Sequence, residues 1–178
     1  MIKKKKVAIF TIGHSTRPIT DFIDVLRSFN IQQVIDIRTI PKSRHNPQFN
    51  QSDLRTALKN KRIAYRHMKG LGGLRHAKKD SNNMAWENAS FRGYADYMQT
   101  DTFEQNLERL IGYARKKRVA IMCAEAVPWR CHRSLLGDAL LLHGFYVEDI
   151  MSATKASSHA MTPWAKVRGT KIWYPKNN

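Results

Sequence analysis

Acidic residues, cysteines and long apolar runs are all scarce in this chain, and each scarcity removes a class of protein. Fourteen aspartates and glutamates stand against 31 lysines and arginines in 178 residues, a formal charge of +17. A surface of that sign attracts polyanions and phosphorylated ligands rather than basic partners. Cys123 and Cys131 are the only cysteines, too few for a disulfide framework in a chain large enough to fold without one, and they read as free thiols. The apolar run from Val7 to Ile12 follows the basic stretch Lys3 to Lys6 but stops at Gly13-His14 without a small-residue cleavage pattern. No stretch approaches the roughly 20 apolar residues that cross a bilayer. The expectation is a soluble cytoplasmic protein with no membrane partner.

With 42% hydrophobic content there is apolar material for one continuous core, so residues 1–178 are expected to form a single domain. Residues 1–6 read as a basic extension and 152–178 as a basic, aromatic tail. Val7 to Ile12, Val34 to Ile37, Ile63 to Tyr65, Val119 to Met122 and Tyr146 to Ile150 are short runs rich in β-branched residues, and they predict strands. Between them the three- and four-residue spacing of Ile19, Phe22, Ile23, Leu26 and Phe29 predicts a helix stopping at Asn30. Leu54 and Leu58 after Asn50 and Asp53 predict a second, and Phe91 to Met98 a third. The row Phe103, Leu107, Leu110, Ile111 and Ala114 predicts a helix opened by Asp101 and Glu104 as a capping pair. The row Leu135, Leu136, Ala139 and Leu140 predicts one that follows Pro128 and ends at Gly144. Strands alternating with helices indicate an α/β fold: three layers, a mostly parallel sheet and helices on both faces, Rossmann-like. The polar segment from Leu74 to Ala89 reads as an exposed loop able to order over a ligand.

In such folds ligands bind where strands end and loops enter helices, since that edge collects loop side chains and free helix N–H groups. Three of these edges are rich in chemistry: His14, Ser15, Thr16 and Arg17; Asp36, Arg38, Ser43 and Arg44; and Cys123, Glu125, Arg130, Cys131, His132 and Arg133. The acid-base and nucleophile candidates are Glu125, Asp36, His14 and Cys131. The ligand-binding candidates are Ser15, Arg38, Ser43, Arg44, Gly72, Gly73, His132 and Arg133, with the arginines holding phosphate in a two-pronged contact.

These residues also sit in motifs. The chain resembles the domain of unknown function 488 family through Thr11-Ile12-Gly13-His14-Ser15, Asp36-Ile37-Arg38 with Pro41, Ser43 and Arg44, Leu71-Gly72-Gly73, Phe91 to Met98, and Met122 through Arg133, about residues 7 to 151 in all. The resemblance implies an α/β fold and marks these positions, but it implies no reaction, substrate or cofactor.

Each candidate has a plain structural alternative. His14 can cap a helix or bond to backbone, Asp36 can pair with Arg38, and Glu125 can hold an arginine in place rather than transfer protons. Cys131, close to a helix start among cations, can be an activated nucleophile or an inert buried thiol, whereas Cys123 at a strand end reads as inert. Arg17 and Arg130 read as flexible surface charges. No metal is expected, because zinc ligands usually come as cysteine pairs two to four residues apart and side chains adjacent on a helix, such as Cys131 and His132, point apart. Six residues separate Cys123 from Arg130, one more than the phosphate loop of cysteine phosphatases contains. Tyr94, Tyr97 and Met98 read as core. Trp129 reads as a pocket wall or a stacking surface, and Trp164 and Trp173 as packed aromatics of the tail. No cofactor is expected. The expected partner is nucleic acid or a phosphorylated small molecule, and the expected function is an enzyme acting on a phosphate-bearing substrate, with a non-catalytic nucleic-acid-binding domain as the alternative.

Overall fold

The computed structural model describes residues 7–176. The Lys3 to Lys6 run lies outside the described residues. Strands β1 (Ala8–Gly13), β2 (Gln33–Asp36), β3 (Ala64–His67), β4 (Val119–Cys123), β5 (Tyr146–Ser152) and β6 (Lys155–Ser158) form one sheet in the order β3-β2-β4-β1-β5-β6. All neighbours pair in parallel except β5 with β6. Helices α1 (Ile19–Ser28), α2 (Gln51–Asn60), α3 (Ala89–Tyr97), α4 (Asp101–Ala114) and α5 (Arg133–Leu142) surround it, giving the three-layer, Rossmann-like α/β architecture read from the sequence.

Period-two alternation explains why both faces are covered. Ile9, Ile35, Val119, Ile121 and Val147 point into a core shared with α3, α4 and α5. Their neighbours Phe10, Ile12, Val34, Ala120, Met122 and Ile150 point into a second core with α1 and α2. A strand with apolar side chains on both faces is stable only between two helical layers. Val34, Val119 and Val147 occupy strands of this one sheet as expected, while Val7 lies just before β1, its carbonyl accepting from Tyr146 N–H.

Local chemistry shifts several boundaries. Thr100, not Asp101, caps α4, its hydroxyl accepting from Phe103 N–H. The third strand begins one residue later than the apolar run and extends to His67, drawn on by pairing with β2. Pro128 opens a 3₁₀ turn (Pro128–Arg130) rather than a helix, and α5 starts only at Arg133. The segment from Leu74 to Ala89 is not a free loop. Asp96 accepts from Lys78 N–H, the Ser81 hydroxyl and the Asn83 amide, and the fully buried Asn83 in turn accepts from Tyr174 N–H. The tail is likewise built in. It adds β6 and a hairpin of β7 (Lys166–Arg168) and β8 (Lys171–Trp173), and it sends Ile172 and Tyr174 into the core.

Strand order positions the site. After β1 the chain leaves through α1 on one face; after the adjoining β4 it leaves through α5 on the other. The carboxyl ends of β1 and β4 therefore flank a topological switch point, the place where diverging loops open a sheet edge to ligands.

Candidate functional site

Gly13 makes this edge possible. A Cβ there would lie 1.9 Å from the Glu125 carbonyl oxygen, so only glycine lets the β1 terminus run against the loop that follows β4. Two backbone bonds seal the contact, His14 N–H to the Cys123 carbonyl and Ser15 N–H to the Ala124 carbonyl, with Ser15 in the left-handed region at φ 50°.

His14 is buried by this arrangement. Its ring stacks on Phe49 at 4.1 Å, Nδ1 lies 2.7 Å from the Ser15 carbonyl, and Nε2 lies 3.3 Å from the Arg38 guanidinium. Burial, with the Arg38 charge adding to it, lowers the His14 pKa to about 4, so the imidazole is neutral at physiological pH. Asp36, fully buried at the end of β2, receives Arg38 Nε at 2.9 Å and Arg38 Nη2 at 2.6 Å, and the Tyr65 hydroxyl at 2.7 Å. Arg38 Nη2 also donates to the Phe49 carbonyl, while His67 bonds the Arg38 carbonyl. Asp36 thus pairs with Arg38, and this pair fixes the loop leaving β2.

Arg133 does comparable work on the opposite side. Its guanidinium is buried and donates to the Glu125 carbonyl at 2.9 Å and the Ala126 carbonyl at 3.4 Å, while Nε is sealed from solvent with no partner. It grips the Glu125 backbone rather than the carboxylate. That carboxylate, on a residue at the solvent-facing rim, accepts from Ala126 N–H.

Both thiols are here as well. Cys131 is buried, and its Sγ accepts from Arg133 N–H at 3.5 Å and lies 3.7 Å from His132 Nδ1. A hydrogen bond from the Cys123 thiol is the main cause lowering Cys131 to about 7, and the same bond, with burial, raises Cys123 to about 12. The expected divergence of Cys131 and His132 is corrected, because neither lies within a helix. Cys131 is extended at φ −133° and ψ 145°, and His132 is the residue before α5, so the backbone turns both side chains to one point. The His132 ring fits only because Gly73 has no side chain, since a Cβ there would lie 2.4 Å from Nδ1; Gly72 packs as tightly on Thr39.

The structure thus gathers His14, Asp36, Arg38, Cys123, Cys131, His132, Arg133 and the Gly72-Gly73 turn around one sheet edge, with Ser15 and Glu125 at its rim. Ser43 and Arg44 stand apart. Ser43 shapes its own loop through Asn46 and Asn50, and Arg44 is exposed. Arg17 is tied down, donating to the Met151 carbonyl at 2.9 Å. Sequence reasoning missed Phe49 and Tyr65. Neither carries a local signal, as one is brought in by a 3₁₀ turn (Pro47–Phe49) and the other by the β2–β3 pairing.

Beside the polar cluster lies an aromatic groove of about 530 Å³ lined by Trp86, Pro128, Trp129, Met151, Lys155 and Trp164, among others. Trp129 is 66% exposed at its lip, and Trp164 packs edge-on against Trp86 at 5.4 Å. Tyr94 and Met98, by contrast, are core, and Tyr97 packs against it.

Fold and site together define an α/β protein with a polar, thiol-bearing edge at a strand-order switch point. The family model described as "Domain of unknown function DUF488" matches residues 18–140, and the chain belongs to that family. The match takes in the motifs from Asp36 to Arg133 and leaves out the Thr11 to Ser15 segment, which is narrower than the sequence resemblance suggests. No curated protein and no solved structure matches the chain. No helix among the described residues is long and apolar enough to cross a membrane.

Proposed function

We propose that the protein is an enzyme acting on a nucleotide or nucleic acid, with the base held in the tryptophan groove and the chemistry carried out at the adjoining strand-end cluster. The observation that carries this reading is the double duty of one loop. Between β4 and α5 it lines the groove with Pro128 and Trp129 and then, within a few residues, supplies Cys131, His132 and Arg133 to the polar cluster. An exposed tryptophan beside Lys155 suits a planar base and its phosphate, and such stacking is worth roughly 1–3 kcal/mol per base. Glu125 is the acid-base candidate because it stands at the solvent-facing rim. Asp36 acts through Arg38, as its oxygens are already occupied, and neutral His14 positions the same guanidinium. The net charge of +17 brings the anionic substrate to this edge.

A second reading is a non-catalytic nucleic-acid-binding domain: Arg38 and Arg133 spend donors on internal partners and hold loops in place, which leaves the exposed Trp129 and Lys155 of the groove to take the ligand. Incubating the protein with nucleotides and with single-stranded DNA and RNA, scored for both turnover and binding, decides between them. Turnover that Glu125→Gln removes while binding persists supports the enzyme. Binding without turnover, weakened about tenfold or more by Trp129→Ala, supports the binding domain. Absence of both removes the nucleotide reading.

A further inference from the structure

Cys123, Cys131 and His132 offer three ligand atoms that all lie within 4.8 Å of one another. We propose that they form a binding site for a zinc-class divalent ion, held by two thiolates and one imidazole, with a fourth position open to water or a substrate atom. The site goes beyond the nucleotide reading and does not rest on it.

One spacing already matches coordination, and the full set, within 4.8 Å, needs only a small contraction to close on an ion. Zinc bonds sulfur at about 2.3 Å and imidazole nitrogen at about 2.0–2.1 Å, so tetrahedral ligand atoms sit roughly 3.5–3.9 Å apart. The Cys131 sulfur and His132 Nδ1 are 3.7 Å apart. This spacing is held by rigid surroundings. Cys123 ends a central strand with its carbonyl bonded to His14 N–H, Cys131 is locked between a 3₁₀ turn and α5, and the His132 ring sits between Gly73 and Tyr94. The loop joining the cysteines is gripped by Arg133 through the Glu125 and Ala126 carbonyls.

Charge balance points the same way. Two thiolates neutralise a divalent ion, so the loaded site would carry no net charge into a largely buried place. Arg133 N–H already points at the Cys131 sulfur in the manner of an outer-shell hydrogen bond to a metal thiolate. Softness sets the class of ion, since a thiolate-imidazole set with no carboxylate selects zinc-like metals over magnesium or calcium.

The test is a titration of the full chain, reduced and stripped with chelator, with cobalt(II) as the spectroscopic probe. The expected result is an intense thiolate-to-cobalt absorption that saturates at one ion per chain and vanishes when zinc is added. Zinc should also raise the unfolding temperature and protect both thiols from alkylation, readouts that require no variant. His132→Ala should weaken cobalt binding at least tenfold, and Cys123→Ser should remove about half of the charge-transfer intensity. Absence of a saturable thiolate band overturns the site, as does saturation at half an equivalent, which would mean an ion shared by two chains. Unchanged affinity in His132→Ala overturns it too. So does a reduced protein that only forms a Cys123–Cys131 disulfide in air. None of these readouts depends on turnover or nucleic-acid binding, so this proposal and the nucleotide reading fail separately.

Discussion

His159 is clamped between two aspartates, with Nε2 2.9 Å from Asp138 and Nδ1 3.4 Å from Asp149. Asp138 also accepts from the Tyr174 hydroxyl and Thr162 N–H, and Asp149 from the Thr11 hydroxyl, so this ring ties α5, β5 and the tail to one another and to β1. Burial alone would lower the His159 pKa, but the hydrogen bonds and charges of the two aspartates overcome it and hold the group at about 9.

That elevation gives stability a pH dependence. A histidine whose folded pKa exceeds its unfolded value of about 6.5 stabilises the fold fully below 6.5, and the contribution is lost as pH rises through about 9. A tenfold change in proton affinity corresponds to about 1.4 kcal/mol, so the loss should be on the order of 3 kcal/mol. Denaturant midpoints from pH 6 to 10 should fall for the wild type and show a flatter profile for His159→Gln. Equal slopes in the two proteins would show that the clamp does not govern the pH dependence.

Asp36→Asn should be among the most damaging single substitutions. It leaves the Arg38 guanidinium buried with no countercharge, and breaking a buried pair from one side costs about 3–5 kcal/mol. Arg38→Lys should also destabilise, because an ammonium cannot bridge both Asp36 oxygens and the Phe49 carbonyl. A loss below about 1 kcal/mol in urea unfolding, within the range of exposed pairs, would show that the pair is solvated.

Gly13→Ala tests the seam between β1 and the loop after β4. The added Cβ meets backbone atoms of Glu125 and Ala126, which cannot rotate away as a flexible side chain can. The expected cost is about 3 kcal/mol or more, the upper end of overpacking. Folding intact at wild-type stability would mean that the seam is loose.

For the proposed function, retention of single-stranded nucleic acid should be strong at low salt and fall steeply as salt rises, because neutralised phosphates release counterions. Trp129→Ala should weaken binding at every salt concentration without changing the slope, since stacking carries no charge. Replacing Lys155 by Gln should lower the slope instead. Affinity indifferent to salt would remove the polyanion and leave a small phosphorylated ligand for the groove.

Much of this was legible in the sequence. The β-branched runs identified five of the six strands in the main sheet; the signal was clearest for the central β1, β2 and β4, which are buried on both faces and so need nearly uninterrupted apolar residues. The polar clusters after Gly13, after Asp36 and from Cys123 to Arg133 marked the candidate edge, because charged and hydrogen-bonding residues placed after buried strands need a structural or chemical reason. The sequence also carried the pairing of Asp36 with Arg38 as an alternative, two residues apart at a strand end.

Tertiary structure decided the rest, through contacts that no local pattern encodes. Strand order placed β4 between β1 and β2, and only that insertion brings Cys123 to Gly13 and His14. Phe49 and Tyr65 joined the site through partners distant in sequence. Cys131 and His132 turned toward one point because a 3₁₀ turn, not a helix, follows Val127, and helical geometry alone would have sent them apart. The apparent tail became core because Tyr174 and Ile172 had apolar space to fill and Asp138 had a hydrogen bond to accept. Local sequence sets the periodicity of each element, whereas the partners of its side chains depend on which elements become neighbours, and burial across the whole chain makes that choice.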